Sequence, residues 1–120
     1  NLMYDYVVNS YFKLGPQFDG MLRTKDLHQN DDHFWISPDG QIFHYDTSEA
    51  YHWEKILSWA KLPTGKHIKL RPKSFSSFIT VEPIEFDGPW KNAPEARLHI
   101  KNGKVESFIV YRRGDVLCPD

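Results

Sequence analysis

The residues best equipped for chemistry fall in two stretches. His28-Gln29-Asn30-Asp31-Asp32-His33 places two imidazoles and two carboxylates within six residues, and His44 and Asp46 follow soon after. Imidazole and carboxylate side chains together can bind a divalent metal and, through it, water for hydrolysis. The spacing matches no helical ligand pair such as His-Glu-x-x-His. The default reading is therefore a solvated loop rich in turn-forming Asn and Asp. The alternative is a small metal-dependent hydrolase built on His28, Asp31, Asp32 or His33.

The second stretch is basic. Lys61, Lys66, Lys69, Arg71 and Lys73 occur with no acid among them. On a strand, Lys69, Arg71 and Lys73 share one face, with His67 beside them, while Ile68 and Leu70 face the core. Such a face is either plain solvated surface, or an edge guarded by lysines, or an anion site. For an anion, an arginine fork and several ammonium groups suit phosphate, and Phe75, Phe78 or Trp90 could offer a ring to a base.

Other chemistries find little support. There is no Gly-x-Ser-x-Gly elbow, no P-loop and no dinucleotide fingerprint. Glu82 and Glu85, or the adjacent Asp31 and Asp32, are not by themselves an acid–base pair, which needs two carboxylates in different environments. The lone Cys118 permits neither an internal disulfide nor a multi-thiolate zinc site. No apolar run is long enough for a membrane span, and no signal peptide is visible at Asn1, so a cytoplasmic protein without cofactor is expected. Residues 1–60 carry four Lys/Arg against nine Asp/Glu, whereas residues 61–120 carry eleven against seven. A general nucleic-acid binder would be basic overall, and this chain has a net charge of −1.

These residues must be positioned by one domain, since 120 residues suffice for a single core. Alternating and aromatic-rich segments predict strands at Met3–Leu14, Met21–Lys25, His67–Leu70, Phe75–Val81, Glu95–Ile100 and Val105–Tyr111. Two hairpins stand out. His33–Ile36 and Gln41–Tyr45 flank Ser37-Pro38-Asp39-Gly40, and a second pair flanks Asn102-Gly103. Asp46 and Glu49 resemble a capping box, and Trp53, Ile56, Leu57 and Ala60 fall on one helical face. The expected class is α+β, mostly β: an antiparallel sheet, sandwich or half-barrel with one short helix at about residues 48–60.

Several pieces of this chain also form a pattern. Met3-Tyr4-Asp5-Tyr6-Val7 opens it, Leu22-Arg23-Thr24-Lys25-Asp26-Leu27 follows, then Ile36–Gly40, and Ala96-Arg97 leads to Gly103-Lys104. The chain resembles a group of small bacteriophage and prophage proteins that carry a Met-Phe/Tyr-Asp start, a Thr-Lys-Asp-Leu motif and a late Ala-Arg…Gly-Lys hairpin. It departs from them where their Leu-Asp-x-Tyr becomes Asp32-His33-Phe34-Trp35. The resemblance implies origin and a binding role in the host cytoplasm: counter-defence by sequestering a phosphate-bearing nucleotide signal, or inhibition of a host protein. An enzyme is the less favoured class, and a virion assembly protein is a further alternative. The candidate ligand-binding set is Lys66, Lys69, Arg71, Lys73, Thr24, Lys25 and Trp90. The expected partners are a nucleotide or cyclic nucleotide, a host protein, or further copies of the chain.

Overall fold

In the computed structural model, the described residues are 3–46, 52–55, 61–64 and 69–116. Ten strands, named β1 to β10 in chain order, account for most of them. They are Asp5–Asn9, Gly20–Thr24, His33–Ile36, Ile42–Asp46, His52–Lys55, Lys61–Thr64, Lys69–Pro72, Ser77–Pro83, Pro94–Lys101 and Lys104–Arg112. A short helix, α1, spans Arg113–Val116. The mostly β class expected from the sequence is what the structure has. Eight strands form one sheet in the order β10-β9-β8-β2-β1-β3-β4-β7, while β5 and β6 pair separately.

Among the described residues all strand pairs are antiparallel except β1 with β3, where Val7 lies beside Phe34 and Asn9 beside Ile36. The sheet curls until the start of β4 meets the start of β10 through a bridge between Gln41 and Lys104. Its concave face holds the core. Val7, Leu22, Phe34, Ile36, Ile42, Ile79, Val81, Ala96, Leu98 and Ile100 are all essentially inaccessible to water. Burial of each larger side chain among them contributes roughly 1.5–3 kcal/mol. Phe18 and Leu14 enter the same core from two 3-10 turns that fill the link between β1 and β2. Asn9 fastens that link: its amide donates to the Phe18 carbonyl at 3.0 Å, and its Oδ1 accepts from Tyr11 N at 3.0 Å.

Both expected hairpins form. Gly40 N donates to Ser37 O at 2.9 Å, with Gly40 at φ 89°. Asn102 and Gly103 both have positive φ, 53° and 77°, as a type I′ turn demands. The helix expected at 48–60 is a different matter. His52–Lys55 are strand, paired with Lys61–Thr64, and residues 47–51 and 56–60 lie outside the described residues. Two helical turns of apolar spacing stabilise a helix only when a neighbour covers that face, and an isolated helix of this length is marginal. The first expected strand, Met3–Leu14, ends at Asn9, whose side chain binds Tyr11 N and the Phe18 carbonyl and turns the chain into the 3-10 link. Among the described residues no helix is long and apolar enough to cross a membrane.

Candidate functional site

One rim of the curled sheet gathers most of the chemistry. It is assembled by β4, β7 and the loop between β2 and β3. Antiparallel pairing sets Phe34 opposite His44, His44 opposite Arg71, and Asp46 opposite Lys69. Opposed residues share a face, so His44 and Arg71 continue the concave face outward beyond Phe34. The Phe34 and His44 rings lie 5.0 Å apart.

The loop from Lys25 to Asp32 brings the other half, and a single buried carboxylate shapes it. Asp5 is fully buried on the inward-facing side of β1. Its Oδ2 accepts from the backbone N–H of His28 and of Gln29, both at 2.6 Å. Its Oδ1 accepts from those of Asn30 and Asp32, both at 3.0 Å. Charge-assisted bonds of this kind are about twice as strong as neutral ones. The loop they hold has Gln29 and Asp31 at positive φ, 54° and 58°, a conformation that aspartate tolerates but that costs a glutamine about 1–2 kcal/mol.

Gathered in this way, His28 Nδ1 lies 2.6 Å from Asp32 Oδ2. His44 Nε2 faces the same oxygen across 3.7 Å. This His44 nitrogen is buried and makes no hydrogen bond among the described residues. Lys73, half-buried, brings its ammonium to 3.5 Å from His28 Nε2. With Lys73 donating there, His28 carries its proton on Nδ1 and gives it to Asp32. Burial pushes the His44 imidazole below its usual range; His28 and Lys73 push the same way, and Asp32 opposes them. Arg71 Nε meets Asp46 Oδ2 at 2.6 Å, with the arginine side chain 60% exposed.

The expected site residues divide accordingly. Arg71 and Lys73 reach this rim. Lys69 is at its strand register there, while Lys66 lies outside the described residues. Thr24 is buried, and its hydroxyl accepts from Asp26 N at 3.1 Å. Asp26 in turn accepts from Thr80 N at 2.7 Å. Thr24 and Asp26 of the Thr-Lys-Asp-Leu segment thus build the loop and its anchorage. Lys25 sits 4.7 Å over the Tyr4 ring. Trp90, exposed, belongs to a 3-10 turn packed beside α1 rather than to the rim.

Of the histidine-rich segment, His28 and Asp32 join His44. His33 does not: it is paired with Tyr6 and stacks on that ring at 5.4 Å, on the opposite face from Phe34. The role of Asp5 is one that sequence reasoning misses. Its signal is a carboxylate in phase with Val7 and Asn9 on an otherwise apolar strand face. No protein-family model matches the chain, and neither a curated protein nor a solved structure does.

Proposed function

We propose that the protein binds a phosphate-bearing small molecule at this rim, as a non-enzymatic binding domain of the phage-like kind the sequence resembles. The observation that carries the reading is the placement of Arg71 and Lys73. Strand register sets Arg71 opposite His44, and half-buried Lys73 reaches His28, so the basic stretch brings two cations beside two imidazoles. A guanidinium with one edge on Asp46 keeps other N–H groups for an incoming oxyanion, and ammonium groups add point charge. A nucleotide meets both needs, since its base can stack while its phosphate is held. Under this reading the protein acts in the host cytoplasm by sequestering the ligand.

Thermal unfolding against inorganic phosphate, nucleotides and cyclic dinucleotides tests the proposal. A ligand at about a hundred times its dissociation constant adds roughly 2.7 kcal/mol of stability. The expected outcome is a clear rise in Tm with at least one phosphate compound and with no unphosphorylated nucleoside. Arg71→Ala and Lys73→Ala should each weaken that binding roughly tenfold or more, the usual worth of a hydrogen bond to a charged group. Arg71→Lys should not restore it, because a lysine cannot reproduce the planar fork. Equal affinity in wild type and both alanine variants would remove the rim from the ligand site. A panel without any shift would leave a host protein as the partner.

Hydrolysis is a second reading, favoured by the imidazoles and the carboxylate that share the rim. Recovery of the bound compound unchanged separates binding from turnover.

A further inference from the structure

We propose that His28, Asp32 and His44 form a binding site for a divalent cation of the zinc type. This site stands on its own geometry and would remain if no phosphate compound bound. The three potential ligand atoms lie within 4.8 Å of one another. Around a tetrahedral ion with ligand bonds of about 2.1 Å, donor atoms are about 3.4 Å apart. The 3.7 Å between His44 Nε2 and Asp32 Oδ2 already approaches that spacing. The 2.6 Å between His28 Nδ1 and Asp32 Oδ2 is a hydrogen bond. It must open by less than about 1 Å as the ion replaces the shared proton.

Three further features support a cation. His44 Nε2 is a buried ring nitrogen without a hydrogen bond among the described residues. Such groups are rare and call for an explanation, and an ion supplies one. The donors are held before any ion arrives, because Asp5 fixes the loop of His28 and Asp32 and the β4 pairing fixes His44. Finally, two nitrogens and one carboxylate oxygen suit zinc, cobalt or nickel better than calcium or magnesium, which prefer all-oxygen shells.

Lys73 gives the site a second property. With an ion on His28 Nδ1, the proton of that ring moves to Nε2, which then cannot accept from the lysine ammonium. The cation and the ammonium also repel each other. Binding of the ion therefore releases Lys73 from His28, toward solvent or toward an anion at the rim. Three protein ligands leave a tetrahedral ion one position for water or a ligand oxygen.

The test uses the metal alone, in phosphate-free buffer, with the full chain freed of metal by chelation. Cobalt(II) is followed by its visible absorption and zinc(II) by calorimetry. The expected result is one ion per chain, with a cobalt spectrum of four-coordinate intensity. His44→Gln and Asp32→Asn should each lower the affinity roughly 100-fold or more, since even outer partners of a ligand are worth 10–100-fold. Two variants are used so that a folding defect in one does not decide the matter. Asp32→Asn keeps the backbone bond to Asp5. His99→Gln should leave affinity unchanged, as His99 stacks on Phe78 outside the rim. Lys73→Met should raise affinity several-fold by removing the competing ammonium. The proposal falls if neither ion binds at micromolar concentration, or if binding survives both His44→Gln and Asp32→Asn. Since no phosphate is present, failure here leaves the anion reading intact, and success does not depend on it.

Discussion

Asp5→Asn is expected to lower Tm by roughly 10 °C and to abolish ordered placement of His28 and Asp32. The reason lies in how the carboxylate is used. Each of its oxygens accepts two backbone N–H groups, those of His28 and Gln29 on one side and of Asn30 and Asp32 on the other. An asparagine offers one carbonyl oxygen and one NH2. Whichever way it turns, two loop N–H groups face donors instead of an acceptor. The site is fully buried, so the lost bonds are not simply replaced by water. Leaving buried donors unsatisfied costs about 1–3 kcal/mol each, and partial relaxation of a surface loop brings the total to about 3 kcal/mol. For a domain of this size that is the stated drop in Tm. Circular dichroism gives the midpoint, and a cobalt titration reads the loop. An unchanged midpoint would mean that the loop holds its shape through other contacts and that Asp5 does not organise the rim.

Gly103→Ala is expected to be as damaging from the other end of the sheet. Here the β3–β4 turn, the β7–β8 link and the β9–β10 hairpin interlock on one residue. Gly103 N donates to Phe75 O at 2.7 Å, and its own carbonyl accepts from Ile42 N at 2.8 Å. A Cβ at Gly103 would stand 1.7 Å from the Lys73 carbonyl oxygen, a backbone atom that cannot rotate away. The hairpin or the link must therefore move, and with it Lys73. The left-handed backbone alone costs a side chain roughly 1–2 kcal/mol. The steric conflict and the lost bonds raise the expected destabilisation to about 4 kcal/mol, the scale of severe single mutations. Gly20→Ala is the control. Gly20 also has positive φ, 90°, but a Cβ added there would meet nothing within 4 Å, so only the backbone cost applies. Chemical denaturation of the two variants separates the causes. Equal losses would show that conformation alone, and not the interlock, makes Gly103 necessary.

The residues most needed to hold the rim are a carboxylate on β1 and a glycine in a distant turn, and neither is at the rim itself. Lys73 links them. Its backbone carbonyl packs on Gly103, and its ammonium reaches His28, whose loop is wrapped on Asp5.

The sequence by itself determined what is local. A Pro-Asp-Gly turn and an Asn-Gly turn need only a few adjacent residues to set their dihedral angles, so both hairpins are legible, as are the alternating strands around them. The mostly β class follows from the same short-range signals. The segment at His52–Lys55 reads as helix, yet is strand, because apolar spacing over two turns cannot reveal whether a partner strand or a covering face is at hand. Tertiary structure alone decided the rim. Asp5 meets its loop across 23 to 27 positions, Arg71 meets Asp46 across 25, and Lys73 meets His28 across 45. Those encounters depend on the parallel pairing of β1 with β3 and on the return of β7 to β4, which no periodicity encodes. The same pairing put His33 on the outer face beside Tyr6 and left His28 and Asp32 to join His44. Side chains alternate across a strand, so residues that are neighbours in sequence part company, and those that do chemistry together are brought from elsewhere in the chain.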